Sequence, residues 1–296
     1  MQIEVNGARL FVDVDGARSV PAGPAMVERP VLFVLHGGPG ADHSYFKPWL
    51  DALTGVAQLV YVDHRGNGRS ERTGTATYTM AQMADDLEEL RKLLGYERIQ
   101  VLGHSFGGMV ALTYALRHPD HLAGLIACTT AASYEFRAEA WEIAAARATP
   151  EQLRMLPRLF DGVVATEAEH DEWWRVCLPL YFHRPDATIC AELLGREHAQ
   201  LEVVNYMMAS QIPAYDVSAQ LPAISAPTLV VSGRHDWVTP VSQGQVIASG
   251  IPGAALAVFE DSGHFPFIEE QDRFLQVIGN FVGTAGGPGQ GGAGAL

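Results

Sequence analysis

The residues most able to do chemistry start at Gly103-His104-Ser105-Phe106-Gly107. Glycines two places either side of the serine allow a sharp turn in which the hydroxyl is lifted clear of its neighbours. A serine hydroxyl is a weak nucleophile and needs a base, which in turn needs a group to orient it. Two downstream loops offer both. Asp236 lies in Ser232-Gly233-Arg234-His235-Asp236, and His264 lies in Asp261-Ser262-Gly263-His264-Phe265. Singly, each residue has an ordinary explanation: a turn serine, a capping aspartate, a surface-loop histidine. Together, in the order Ser, Asp, His, they form the expected set for a nucleophile on a strand-to-helix turn.

Such a set works only if the fold brings the three loops to one place. Gln2–Val5 and Arg9–Val14 alternate around Asn6-Gly7, which predicts an antiparallel hairpin. Val31–Leu35 and Leu59–Val62 are short apolar runs ended by glycine-rich loops, the signature of buried strands. A helix is expected from Thr79, as cap with Gln82 reaching back, to just before Gly95. Then come a strand Ile99–Leu102, a helix Gly108–Arg117, and a strand Leu122–Ala127. Thr228–Val231 and Ala255–Phe259 resume the strand pattern, with helices from Pro240 and over Phe267–Phe281. Buried strands alternating with helices predict an α/β fold, a mostly parallel sheet covered on both faces. In such a sheet the loops after the strand C-termini share one edge, so Ser105, Asp236 and His264 converge.

Between residues 133 and 218 the strand signal is absent. Helices are expected at Glu139–Ala148, Glu151–Phe160, Glu167–Leu178 and Ala187–Met208, forming a helical insertion on the sheet. The division is therefore a core of residues 1–132 and 219–282, a cap of 133–218, and a glycine-rich tail of 283–296 that lacks side chains to pack.

Composition narrows the partners. The chain has 296 residues and a net charge of −14, which disfavours a nucleic-acid partner because phosphates would be repelled. No run of about 18 apolar residues is present, so no membrane-spanning helix is expected. Cys128, Cys177 and Cys190 have no metal or redox spacing and suit reduced thiols in a cytoplasm. No histidine and glutamate cluster has zinc spacing, and no dinucleotide loop is present, so no metal and no cofactor are expected. The expected partner is a small-molecule acyl substrate, handled by a monomer or homodimer. His36, His43 and His104 are read as structural histidines held by backbone hydrogen bonds.

These motifs resemble the α/β-hydrolases over nearly the whole chain, with a helical cap between the sixth and seventh sheet strands. His36-Gly37-Gly38-Pro39-Gly40 and Asp63-His64-Arg65-Gly66-Asn67-Gly68-Arg69-Ser70 resemble the proline iminopeptidase branch and its esterase relatives. The resemblance implies an oxyanion hole from the N–H groups of Gly38 and Phe106, and a site-ordering role for the second motif. Dehalogenases and epoxide hydrolases of this fold carry aspartate where this chain has Ser105, so both are set aside. Iminopeptidases hold the substrate ammonium with cap glutamates. The matching position here is Asn205, with Glu202 one turn earlier as a substitute. Trp141, Trp173, Trp174 and Tyr206 are expected to line an acyl pocket, with Leu156, Leu159, Phe160 and Tyr181 nearby. The expected activity is a carboxylesterase acting on small or medium acyl esters, with an iminopeptidase-like aminopeptidase as the alternative.

Overall fold

A computed structural model describes residues 1–196 and 198–285. Strands β1 (Gln2–Val5) and β2 (Ala8–Asp15) form the opening hairpin, and Asn6 and Gly7 both take positive φ at its turn. A second hairpin, β3 (Ser19–Ala22) with β4 (Ala25–Glu28), stands apart as a two-stranded ribbon. Sequence reading misses it because its residues are almost all exposed and carry no apolar alternation. Then follow β5 (Val31–Leu35), β6 (Gln58–Val62), α1 (Met80–Leu93), β7 (Ile99–His104), α2 (Phe106–Arg117) and β8 (Leu122–Cys128). Thr79 caps α1 by accepting the Gln82 N–H at 3.0 Å. The Gln82 side chain does not reach back; it bonds Asp86 Oδ1 instead. Helix α2 begins at Phe106, two residues earlier than expected, directly after Ser105.

Helices α3 (Phe136–Arg147), α4 (Pro150–Phe160), α5 (Glu167–Cys177), α6 (Ala187–Leu194) and α7 (Leu201–Tyr206) separate β8 from β9 (Thr228–Gly233). The two ends of this insertion meet, Ser133 bridging Asp216. The single helix expected over Ala187–Met208 is broken. Gly195 caps α6, and the chain then turns to the core, where Gln200 donates its N–H to Gly40 O and His198 to Asp42 Oδ2. Those tertiary bonds replace the helical ones that residues 198–200 would otherwise make. Beyond α7, Met207–Gln211 winds as a π turn. The chain closes with α8 (Val241–Gly250), β10 (Ala255–Phe259), α9 (Pro266–Glu269) and α10 (Gln271–Ala285). Expected as one helix, the last pair is divided at Glu270, whose carboxylate holds the Asp261 N–H and the Ser262 hydroxyl. The tail boundary at Gly283 moves too, since α10 runs on to Ala285; the rest of the tail lies outside the described residues.

The main sheet has the order β1-β2-β6-β5-β7-β8-β9-β10, parallel from β6 onward. Its register aligns the strand ends: Leu35 lies opposite Gly103, Gly103 opposite Ala127, Cys128 opposite Val231, and Gly233 opposite Phe259. The loops after β5, β7, β9 and β10 therefore leave from one edge. Strands β5 and β7 are buried along their full length; β5 is an unbroken apolar run, and in β7 the buried Gln100 donates to Val282 O at 2.9 Å. Among the described residues, no helix is long and apolar enough to cross a membrane.

Candidate active site

Ser105 occupies the turn between β7 and α2 with φ +54° and ψ −120°, a strained conformation for a residue with a Cβ. The flanking glycines are there for lack of room. A Cβ on Gly103 would sit 2.3 Å from Gly107 O, and one on Gly107 would sit 2.4 Å from Leu35 O. Backbone bonds hold the turn from below: Ser105 N–H donates to Cys128 O at 2.9 Å, and the Thr130 hydroxyl donates to Ser105 O at 2.7 Å.

Asp236 is 2% exposed, and four donors converge on its carboxylate. Oδ1 accepts the N–H groups of Val238 (2.8 Å) and Thr239 (3.1 Å). Oδ2 accepts the Thr239 hydroxyl at 2.8 Å and His264 Nδ1 at 2.8 Å. The aspartate thus caps a turn and orients an imidazole at once. A carboxylate offers no proton, so the His264 hydrogen sits on Nδ1 and Nε2 is left to accept. The His264 backbone is equally fixed. Its N–H donates to Tyr181 O at 2.7 Å, and its carbonyl accepts His104 Nε2 at 3.0 Å and the Thr129 hydroxyl at 3.1 Å.

Gly38 has φ +49°, and a Cβ there would meet only Ala41 Cβ at 3.6 Å, so backbone conformation rather than space calls for glycine. Phe106 is the first residue of α2, whose leading N–H groups have no partner within the helix. Among the described residues, neither the Gly38 nor the Phe106 N–H has a protein acceptor. Gly38, Ser105, Phe106 and His264 line one cavity between the sheet edge and the inserted helices.

The second motif braces this region. Asn67 Oδ1 accepts the Gly40 N–H at 2.6 Å, holding the glycine loop. Asp63 accepts the His43 N–H, His43 Nδ1 and the Arg69 N–H; burial pushes its carboxyl up, yet these bonds and the nearby imidazoles hold it below the usual carboxylate range. Arg65 forms a buried two-point pair with Asp86 at 2.6 and 2.9 Å. Asp42, His43 and Asp63 are close enough to share a cation, their donor atoms within 4.8 Å of one another. Both Asp42 oxygens nonetheless accept backbone N–H groups, of Ser44 and His198. Of the three structural histidines, His36 bonds Gly37 O and accepts the His64 N–H. His104 bonds Tyr45 and His264 O, whereas the His43 ring departs from the expectation, bonding the Asp63 carboxylate at 2.6 Å and lying 3.7 Å from that of Asp13 rather than meeting backbone.

The expected substrate residues divide sharply. Trp174 lines the cavity, its indole N–H bonded to His170 Nε2 at 3.0 Å. Trp173 does not; it is wholly buried and donates to Met155 O at 2.8 Å. Trp141 packs on Phe160 and Trp237, outside the lining. Glu202 is exposed in the first turn of α7. Asn205 is spent on the chain after α4, accepting Val164 N–H at 3.1 Å and donating to Val164 O at 2.7 Å. Tyr206 faces Tyr78 and accepts from Gln211. Leu159, Phe160 and Tyr181 do line the cavity, whereas Leu156 is core. Sequence reading missed Tyr45 and His170, both at the wall; neither sits in a motif or at a spacing that would flag it.

Two curated relatives cover most of the chain. A "Proline iminopeptidase" of Saccharolobus solfataricus is 31% identical over 85% of this chain and 84% of its own. A "Putative carbamate hydrolase RutD" of Caulobacter sp. (strain K31) is 30% identical over 91% and 96%. Among solved structures, an alpha/beta fold family hydrolase from Bacillus anthracis superposes with a TM-score of 0.76 at 25% identity, covering 96% of this chain and 98% of that one. With residues 30–271 matched by the model of the alpha/beta hydrolase fold, the chain belongs to the alpha/beta hydrolase fold family.

Proposed function

We propose that the protein is a serine hydrolase of neutral, apolar acyl esters, with residues 133–218 as a cap that walls the acyl site. Ser105 Oγ attacks the acyl carbon while its proton passes to His264 Nε2. The carbonyl electrons move to oxygen, which takes the Gly38 and Phe106 N–H groups as donors, each worth about 3 kcal/mol in the transition state. Collapse expels the alkoxide, which leaves with the proton from His264. Water then repeats the route, releasing the acid and restoring Ser105. Asp236 keeps the imidazole hydrogen on Nδ1 and stabilises the imidazolium.

One observation carries the substrate class. The cavity wall is made of groups such as Met109, Phe136, Phe160, Trp174 and Leu193. Among the described lining residues, Asp42 is the single carboxylate, and its two oxygens already take backbone N–H groups. A substrate ammonium would lose its water there with little in return. The name of the iminopeptidase relative favours a second reading, in which Asp42 meets that ammonium. Proline methyl ester against its N-acetylated form decides between them. Equal kcat/KM supports the ester reading. A tenfold preference for the free amine, erased by Asp42→Asn, establishes the other. Ser105→Ala must abolish turnover under either.

A further inference from the structure

Gly37 in the loop after β5, His104 at the end of β7 and His264 in the loop after β10 are far apart in sequence, yet one chain of hydrogen bonds with a fixed direction joins them. The His264 carbonyl can only accept, so His104 Nε2, 3.0 Å away, carries the ring hydrogen. His104 Nδ1 must then accept, and its partner at 2.7 Å is the Tyr45 hydroxyl. The Tyr45 oxygen in turn accepts the Gly37 N–H at 2.5 Å. Burial holds the His104 imidazole well below its ordinary value, which keeps the ring neutral and the direction intact. His104 is 2% exposed, so no bulk water stands in for a lost partner. The fit around the ring is close as well: a Cβ on Gly37 would lie 2.8 Å from His104 Nδ1.

We propose that Tyr45 and His104 are positioning residues that set the oxyanion loop and the base loop in register with the nucleophile, through the directed chain Gly37 N–H to Tyr45 to His104 to His264 C=O. Gly37 precedes Gly38, whose N–H faces the cavity beside Ser105; His104 precedes Ser105; the last acceptor is the backbone of His264 itself. One relay therefore adjoins the donor, the nucleophile and the base, and Tyr45 and His104 act through these neighbours although both residues also line the cavity. The proposal rests on the reading of Ser105 as nucleophile, and needs no particular substrate.

The test is the rate at which a small fluorophosphonate labels Ser105, because the phosphonyl oxygen uses the same donors and the same base as an acyl group. Labelling amplitude counts folded sites, whereas the rate constant reports their positioning, so a merely structural loss lowers the first and spares the second. Tyr45→Phe and His104→Leu are each expected to slow labelling about tenfold at full amplitude. Their combination should be no slower than either alone, since they interrupt one chain. His104→Gln, whose amide offers an acceptor and a donor at similar spacing, should return to within about threefold of wild type. Nitrogen-15 NMR should find His104 singly protonated at Nε2. A Tyr45→Phe protein labelled at the wild-type rate, effects that multiply in the double variant, or a hydrogen on Nδ1 would each overturn the proposal. Wild-type labelling at Ser105 without ester turnover would sink the ester reading alone. Wild-type protein that is not labelled at Ser105 would sink both.

Discussion

Replacing Asp236 by asparagine should disarm the protein while leaving it folded, and the carboxylate's four donors say why. The asparagine amide must place its oxygen toward the Val238 and Thr239 N–H groups, because its NH2 group would otherwise face two donors. That orientation sets the NH2 group against His264 Nδ1 and the Thr239 hydroxyl, which can turn to accept. The imidazole then has to accept at Nδ1 and carries its hydrogen on Nε2, where it can take no proton from Ser105. Restoring the working tautomer requires flipping the amide and losing two buried backbone hydrogen bonds, at roughly 1–3 kcal/mol each. About 2–6 kcal/mol corresponds to a rate loss of roughly 30-fold to 2 × 10⁴-fold. The backbone bonds survive in the unflipped state, so stability should change little. Turnover of p-nitrophenyl butyrate gives the rate, and urea unfolding gives the stability. Asp236→Asn retaining more than about a tenth of wild-type kcat would refute the reasoning, as would a loss of rate fully matched by unfolding.

Three other outcomes follow from buried groups. Burial raises the Glu88 carboxyl, but hydrogen bonds and charge from Arg91, with His121 and Tyr114 adding, draw it from 4.5 down to about 2. A lowered carboxyl stabilises above its unfolded value, so this contribution, about 3 kcal/mol, is present at neutral pH and lost as pH falls from about 4.5 toward 2. Glu88→Gln should therefore be less stable than wild type at pH 7 and converge with it near pH 2; a constant gap would contradict this. Arg65→Ala strands Asp86 in the interior and should cost about 3–5 kcal/mol, most of it regained when Asp86 is also made apolar, as read by urea unfolding. Asn205→Ala should cost about 2 kcal/mol by loss of its two bonds to Val164 while ester kcat/KM stays within about twofold; a tenfold change in substrate preference would return Asn205 to the substrate site.

What the sequence made legible was whatever depends on period and punctuation. Val31–Leu35 is a continuous apolar run, and Ile99–Leu102 is one but for Gln100, because both sheet faces are covered, and glycines mark where each strand must turn sharply. The three loops carrying Ser105, Asp236 and His264 then fall on one edge through parallel register alone. The cap gave no such handle. Trp173 and Trp174 are neighbours about 100° apart on α5, so identical residue types end in the core and on the cavity wall. Only the packing of α4 and α6 decides which is which. The break after Leu194 is equally hidden, because Gly195 is a weak stop and the bonds that hold residues 198–200 go to residues some 130 to 160 positions away.

That break also changes what the two glycine motifs mean. Gly40 takes φ +91°, and a Cβ there would lie 2.2 Å from Val204 Cγ2 and 2.9 Å from Gln200 O, so the cap chain rests directly on the bare backbone of the glycine loop. Asn67 of the second motif holds the Gly40 N–H from one side, and Gln200 of the cap donates to the Gly40 carbonyl from the other. The glycines and the asparagine thus serve two ends: they free Gly38 to present its N–H, and they give the insertion a flat place to dock. Both are requirements of the scaffold, and the only contact they offer a substrate, the Gly38 N–H, would meet a carbonyl oxygen that every ester and amide shares. Motifs of this kind therefore point to the Ser105 turn and the glycine loop but carry no information on substrate. That information lies in the cavity wall, in side chains such as Phe160, Trp174 and Leu193, whose exposure to the cavity is set by helix rotation and not by any local pattern.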